Sequence, residues 1–230
     1  MQIHGFQTLT LLDYPGRVAC TLFLGGCNFR CPFCQNSGLV LSPGKEPVVP
    51  MEEVRKTLQK RKKVLDGVCI TGGEPTLAPD LPELIREIKE MGYLVKLDTN
   101  GYRPEVLGSL LEEGLLDYVA MDIKSSPEGY AKAAGLPGLD LSRIQRSVEL
   151  LMEGEVPYEF RTTVTRELHG KEEILSIGRW LKGCRRYALQ NYRESEQVIM
   201  PVFSGFSREQ LENFRKMLEP WIERVEIRGV

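Results

Sequence analysis

The chain has no apolar run near the roughly 20 residues that are needed to cross a bilayer. Its N-terminus, MQIHGFQTLTLLDYPGR, lacks the charged segment and the uninterrupted apolar core of a secretion signal. Charge of either sign is nearly balanced, with a formal net charge of −2, which argues against a polyanion-binding surface. These absences predict a protein that works in the cytoplasm and binds neither membrane nor nucleic acid.

Six cysteines in 230 residues are too few for disulfides to organise a chain of this size, which argues against a disulfide-stabilised secreted protein. Three of them nevertheless lie together in the run GGCNFRCPFCQN, at Cys27, Cys31 and Cys34, and no fourth follows at a matching interval. The remaining three are in or beside apolar segments and are interpreted as buried small hydrophobes: Cys20, Cys69 and Cys184. Clustered thiolates must stay reduced to bind metal, which again favours the cytoplasm.

Three thiolates in one loop can hold three corners of a 4Fe–4S cube and leave one iron for a small molecule. Two alternatives share the spacing. A zinc site could be completed by a distant cysteine or by His4 or His169. An electron-transfer cluster could take its fourth thiolate from Cys20 or Cys69. Both cysteines are predicted to lie in mid-strand, and both histidines are far away in sequence, so we interpret the triad as an open-site 4Fe–4S cluster.

Short apolar segments alternate with amphipathic helical segments along the chain. The predicted strands are 18–24, 68–71, 94–99, 118–123, 158–164 and 187–192. Strands and helices that alternate in this way indicate βαβ crossovers and a parallel sheet. Six units are fewer than the eight of a closed barrel. The sequence therefore predicts an α/β fold with a partial (β/α)6, TIM-like barrel as a single domain over residues 1–230, and a flat doubly wound sheet is the alternative.

Short segments with polar or metal-binding residues follow most of the predicted strands. They come at the carboxyl ends of the strands, where ligands bind in parallel sheets. The cysteine loop follows the first strand, and Arg161 lies within the fifth. The other signatures come after the second, third, fourth and sixth strands: Thr71–Pro75, Asp98–Gly101, Asp122–Lys124 and Gln190–Arg193. We expect these segments to converge on one edge of the sheet.

The cysteine spacing followed by Gly-Gly-Glu-Pro at residues 72–75 resembles the radical S-adenosylmethionine (SAM) superfamily. The resemblance implies a fold of the radical SAM type, with Cys27, Cys31 and Cys34 on three irons and SAM on the fourth. Phe33 would pack near the adenine, and Glu74 would accept hydrogen bonds from the methionine ammonium. Gly72 and Gly73 would let the backbone approach the ligand.

A narrower resemblance comes from LLDYPG, CPFCQN, LDTNG and MDIK, which are similar to segments of the activating enzymes of glycyl-radical proteins. The most similar is the activator of anaerobic ribonucleoside-triphosphate reductase. The resemblance implies cofactor contacts from residues after several strands: Gln35, Asn36, Asp98, Asp122, Lys124 and Arg193. It also implies a monovalent cation held by Asp98 and Asp122 with the carbonyls of Thr99 and Ala120. The ribose contact is open between Gln190, Arg193 and neither.

The resemblance implies that a reduced cluster cleaves SAM to a 5′-deoxyadenosyl radical, which abstracts hydrogen from a glycine of a partner enzyme under anaerobic conditions. The expected partner is the large subunit of the anaerobic ribonucleotide reductase. A flavodoxin or ferredoxin-like donor is expected because no second cysteine cluster is present. Two other hypotheses stay open: a radical SAM enzyme for a small molecule, of the nucleoside-precursor lyase type, and a non-enzymatic metal-binding or electron-transfer module.

Overall fold

A computed structural model describes all residues of the chain, Met1–Val230. Its eight strands follow one another in sequence order within an eight-stranded sheet. They are β1 Ile3–Thr10, β2 Ala19–Leu24, β3 Gly67–Gly72, β4 Leu94–Thr99, β5 Tyr118–Asp122, β6 Tyr158–Val164, β7 Arg186–Asn191 and β8 Arg224–Arg228. The pair β1–β2 is antiparallel, whereas β2–β3, β3–β4, β6–β7 and β7–β8 are parallel.

The helices lie mostly between consecutive parallel strands, as crossover connections require. They are α1 Ser37–Leu41, α2 Met51–Arg61, α3 Leu81–Glu90, α4 Pro104–Glu112, α5 Tyr130–Ala134, α6 Leu141–Glu153, α7 Lys171–Trp180 and α8 Arg208–Leu218. None of these helices combines the length and the apolar character that a bilayer span requires.

The six predicted strands correspond to β2 to β7, and the prediction missed β1 and β8. Both missed strands are first or last in the sheet order. Most residues of β1 are partly exposed, and β8, with the sequence RVEIR, has no fully buried residue. An edge strand that faces solvent does not need a continuous apolar run, so the pattern that revealed the inner strands is absent from these two.

The chain divides into two compact units. Unit 1 comprises Met1–Asn28, Gly38–Thr99 and Arg103–Ala120. Unit 2 comprises Phe29–Ser37, Asn100–Tyr102 and Met121–Val230. The single domain over residues 1–230 stays a prediction.

In unit 1, the strands β2, β3 and β4 form the buried centre. Leu22 is in register with Ile70, which is in register with Leu97, and all three side chains are fully buried. Helix α3 covers this centre with one apolar face and ends before Gly92, whose φ of 85° favours glycine. The parallel register places the carboxyl ends of the three strands at the same edge.

In unit 2, β6, β7 and β8 lie side by side, and their charged residues are paired. The buried carboxylate of Glu159 on β6 accepts two hydrogen bonds from the guanidinium of Arg228 on β8, at 2.9 and 2.7 Å. Helix α6 begins after Asp140, whose carboxylate accepts a hydrogen bond from Ser142 N. Helix α8 begins at a capping box formed by Ser207 and Gln210.

Candidate functional site

The glycines at the end of β3 bring this strand onto the start of the cysteine loop in unit 1. Gly73 N donates to Leu24 O at 2.8 Å, and Glu74 N donates to Gly26 O at 2.7 Å. Gly72 has a φ of 119°, which other residues rarely adopt, and a Cβ on Gly73 would overlap Gly26 O. Both positions therefore require glycine for the close approach of the two loops.

The Glu74 carboxylate is buried and oriented by the ends of two strands. Its Oε1 accepts hydrogen bonds from Thr76 N at 3.1 Å, Thr76 Oγ1 at 2.6 Å and Thr99 Oγ1 at 2.8 Å. The side chain is thus fixed between the segment after β3 and the last residue of β4. A buried carboxylate with fixed geometry is suited to binding a cationic group in a defined place.

A lysine that was not predicted neutralises Asp98. Lys96 lies two residues earlier on β4, is 1% exposed, and its Nζ donates to Asp98 Oδ1. The buried thiol of Cys69 lies next to both groups, with its Sγ 3.7 Å from Lys96 Nζ and 3.6 Å from Asp98 Oδ1. The sequence LVKLDT of β4 could have indicated the pairing of Lys96 with Asp98, because residues two apart on a strand lie on the same face.

In unit 2, Asp122 lies at the end of β5 between two cations. Its Oδ1 accepts from Arg161 Nε at 2.5 Å, and its Oδ2 accepts from Lys124 Nζ at 2.9 Å. Burial alone would raise the pKa of Asp122, but the charges of Arg161 and Lys124 outweigh it and hold this pKa well below its usual range. The carboxylate of Asp122 is thereby held between a guanidinium and an ammonium at the end of β5.

Lys124 also lies near one of the predicted cluster ligands. Burial would lower the pKa of Lys124, whereas the charge of Asp122 and then the thiolate form of Cys31 raise it above its ordinary value. The same attraction stabilises a thiolate on Cys31. Cys31 is buried, and its Sγ lies 3.7 Å from Ala134 O. Cys34 N donates to Cys31 O at 3.0 Å, which closes a tight turn between the two cysteines.

The three predicted ligands lie in a single loop that joins β2 to α1. Cys27 and Cys34 are half-buried, and none of the three forms a disulfide. No group of three or more His, Cys, Asp or Glu side chains in the chain is arranged to hold one metal ion. A 4Fe–4S cube does not require such convergence, because each thiolate binds a different iron. Three reduced cysteines in one loop, with the ammonium of Lys124 near Cys31, fit the 4Fe–4S cluster that the sequence predicts.

Phe33 packs against two rings of unit 2. Its ring meets His169 edge-on at 6.4 Å between centroids and Phe203 at 6.0 Å. Thr165 N donates to Nδ1 of His169, so Nε2 carries the proton and donates to Lys124 O at 2.9 Å. Burial lowers the pKa of His169, which keeps the ring neutral. The contact of His169 with Phe33 was not predicted, because no residue near His169 in the sequence indicates that it lies beside the cysteine loop.

A segment after β7, residues 193–203, is hydrogen-bonded to the second half of the cysteine loop. The side-chain amide of Gln35 donates to Arg193 O. Backbone hydrogen bonds of 2.9 to 3.2 Å join the same two segments at Met200 N to Pro32 O, Ile199 N to Cys34 O and Ser37 N to Gln197 O. The segment holds the loop from Pro32 to Ser37 in place.

The remaining predicted residues are located as follows. Asn36 is exposed at the end of the cysteine loop, and Gln190 is half-buried near the end of β7. Arg193 is exposed, and its Nε donates to Gly229 O at 3.2 Å. Arg193 therefore meets the loop through its backbone carbonyl, while its guanidinium bonds the C-terminal segment, and the ribose contact stays a prediction.

The family model described as "Radical SAM superfamily" matches residues 21–175. A protein of Methanocaldococcus jannaschii named "Putative glycyl-radical enzyme activating enzyme" is 31% identical over 239 residues, covering 99% of this chain and 96% of that protein. A "Probable GTP 3′,8-cyclase" of Thermococcus kodakarensis is 31% identical over 150 residues, covering 64% of this chain and 47% of that protein.

Among solved structures, SuiB of Streptococcus suis bound to its precursor peptide SuiA superimposes with a TM-score of 0.70 at 15% identity. The match covers 91% of this chain and 48% of SuiB, so the chain spans about half of that protein. SuiB bound to S-adenosylmethionine gives a TM-score of 0.67, also at 15% identity.

These likenesses confirm the predicted fold class, α/β with the strand and helix alternation of a partial barrel of the radical SAM type. They also confirm the predicted cofactors, because the family uses a 4Fe–4S cluster and S-adenosylmethionine. The family model covers more than half of the chain, and the Methanocaldococcus relative is matched over nearly its full length. The chain belongs to the radical SAM superfamily.

Proposed function

We propose that this enzyme is an activating enzyme for a glycyl-radical protein, and that its partner is the large subunit of the anaerobic ribonucleoside-triphosphate reductase. The observation that carries the proposal is the Methanocaldococcus relative, which matches 99% of this chain and 96% of its own length. The match to the cyclase covers only 64% of this chain, so we attribute it to the radical SAM core that the two proteins share. The segments LLDYPG, LDTNG and MDIK support the same assignment.

The residues of the cysteine loop would hold the cluster. Cys27, Cys31 and Cys34 would each bind one iron, and the charge of Lys124 would stabilise the thiolate of Cys31. When bound, the cluster and SAM supply the 5′-deoxyadenosyl radical. The hydrogen bonds from residues 197–200 would keep the loop from shifting as SAM enters.

Residues at the strand ends would orient SAM. The fixed carboxylate of Glu74 would accept hydrogen bonds from the methionine ammonium, and the backbone at Gly72 and Gly73 would approach the ligand. The cations Lys124 and Arg161, which pair with Asp122, would attract the methionine carboxylate. Phe33 would pack on the adenine, and Gln35, Asn36, Asp98 and Arg193 are proposed to complete the site.

The partner would present a backbone glycine whose hydrogen the radical abstracts. An external one-electron donor of the flavodoxin or ferredoxin type would reduce the cluster, since the sequence has no second cysteine cluster. None of the six cysteines forms a disulfide, which is consistent with a reducing compartment, and we propose that the enzyme works in the cytoplasm.

Electron paramagnetic resonance tests the partner assignment. The reconstituted enzyme, dithionite and SAM are mixed anaerobically with the large subunit of the anaerobic reductase from the same organism. We expect a persistent glycine-centred doublet on the reductase, and no doublet when its radical-site glycine is replaced by alanine. Turnover of GTP in the absence of any protein partner, without a doublet, would instead identify a small-molecule enzyme.

A further inference from the structure

We propose that the ammonium of Lys96 takes the place of the monovalent metal cation at Asp98, so that SAM binding needs neither K⁺ nor Na⁺. The inference rests on the cofactor site given under the proposed function. It departs from the sequence-based expectation that Asp98 and Asp122 hold a metal cation. Lys96 is thereby assigned a positioning role, because it acts on the site through Asp98.

The pairing of Lys96 with Asp98 leaves no charge at this carboxylate for a metal ion to balance. Lys96 is 1% exposed, and its Nζ donates to Asp98 Oδ1 within the same strand. A buried ammonium requires a nearby negative charge, because desolvation otherwise disfavours its charged form. A metal cation on the same carboxylate would place a second positive charge beside the buried ammonium.

The other carboxylate of the expected cation site is also neutralised within its own unit. Asp122 accepts from Arg161 Nε at 2.5 Å and from Lys124 Nζ at 2.9 Å, so two cations of the chain already pair with this carboxylate. Hard cations such as K⁺ and Na⁺ are bound by oxygen ligands that carry negative charge or large dipoles. Neither carboxylate therefore fits the ligand role that the resemblance implies.

Lys96 can do at Asp98 what the metal ion would do there. It carries the same single positive charge, and its three N–H donors point from a fixed backbone position on β4. A cation that is part of the chain is present at full occupancy and loses no binding entropy when the site forms. It would keep the Asp98 carboxylate charged and oriented at the end of the strand.

The test is the cation dependence of SAM binding in wild type and Lys96→Met. Both proteins are reconstituted with the cluster and titrated with SAM by calorimetry in KCl, NaCl or tetramethylammonium chloride at equal ionic strength. We expect the wild-type Kd to change by less than about twofold among the salts. Lys96→Met should bind SAM about tenfold or more weakly in tetramethylammonium and recover in KCl or NaCl, because the loss of a charged hydrogen bond is then compensated by the metal.

Lys89→Met is the matched control, since Lys89 pairs with Asp117 at 2.9 Å on a more exposed part of unit 1. It should bind SAM as the wild type does in every salt. Lys96→Arg retains the charge and should stay independent of the salt. Should Lys96→Met fail to fold, the wild type and Lys96→Arg still decide the question.

Two results would overturn the inference. One is a wild-type Kd that falls tenfold or more when K⁺ or Na⁺ is added. The other is a folded Lys96→Met protein that binds SAM like the wild type in tetramethylammonium. Either result leaves the partner assignment intact, because that depends on the glycyl radical doublet. A missing doublet, conversely, would leave the titrations of SAM unaffected.

Discussion

At the scale of single residues, the buried cysteines differ in the charges around them. Cys31 lies near the ammonium of Lys124, whereas Cys20 and Cys184 lie in apolar surroundings where burial raises the pKa of each thiol to about 12. A thiol with such a raised pKa stays protonated and is a poor iron ligand. Cys31 therefore suits a cluster ligand better than Cys20 or Cys184 does.

Cys31→Ala should abolish cluster assembly, because two remaining thiolates cannot hold the cube. We expect iron and sulfide contents near zero after reconstitution and no 5′-deoxyadenosine from SAM, with a native circular dichroism spectrum. Cys184→Ala is the control, and it should assemble the cluster in wild-type yield. Cleavage of SAM by the Cys31 variant would contradict the assignment of the loop.

Glu74→Gln should weaken SAM binding about 10- to 100-fold, because a hydrogen bond to a charged partner contributes roughly 1.5 to 3 kcal/mol. The neutral amide keeps the size of the side chain but loses its attraction for the methionine ammonium. Calorimetric titration of the reconstituted protein measures the change. Glu83→Gln, on the exposed face of α3, should bind SAM with wild-type affinity. Equal affinities of the two variants would remove Glu74 from the site.

At the scale of secondary structure elements, the strands of unit 2 are joined by charge as well as by backbone hydrogen bonds. Glu159 on β6 is 2% exposed and depends on the guanidinium of Arg228 on β8. Two side chains that come from strands separated by β7 are thus held together across the sheet. Strand β8 has no buried residue of its own, so this pair anchors it.

Arg228→Met should lower the free energy of unfolding by about 3 to 5 kcal/mol, because the buried carboxylate of Glu159 loses the cation that donates two hydrogen bonds to it. Equilibrium unfolding in guanidinium chloride measures the loss. Arg224→Met removes an arginine from the same strand whose side chain is 66% exposed and pairs with Glu226, so its effect should be at most about 1 kcal/mol. The pair would not be the anchor of β8 if the two variants were equally stable.

At the scale of the whole molecule, the dependence of stability on pH reports on one buried histidine. Burial lowers the pKa of His169, so the unfolded chain takes up a proton at a higher pH than the folded protein does. Stability from this group is present above the ordinary histidine pKa of about 6.5 and is lost as the pH falls below it. The proton would be forced onto Nδ1, which now accepts from Thr165 N.

We expect the free energy of unfolding of the reconstituted wild type to decrease from pH 6.5 to 5, by at most about 1.4 kcal/mol per pH unit from this group. His169→Gln should flatten this decrease. The chain has two histidines, and His4→Gln is the control that should retain the wild-type slope. Any contribution of the cluster is common to all three proteins. A slope that is unchanged in His169→Gln and reduced in His4→Gln would contradict the prediction.

The sequence predicted the inner strands and the cysteine loop because both depend on local patterns. Buried parallel strands must be apolar along their whole length, and three iron ligands in one loop must be cysteines at short spacing. The edge strands β1 and β8 escaped prediction because partial exposure allows polar residues in them. Lys96 and His169 escaped because a lysine or histidine is assigned a role only by what surrounds it in space.

The amino-acid sequence alone determined which residues can supply thiolates, which glycines can approach a ligand, and where strands and helices alternate. Only the tertiary structure decided the charge balance of the carboxylates, because Asp122 acquires Arg161 from a strand 39 residues away. It also decided how the cysteine loop is held, since Gln35 reaches a carbonyl 158 residues further along the chain. Coulomb attraction and hydrogen bonding act over a few ångströms of space, and distance along the polypeptide does not reveal which groups come that close.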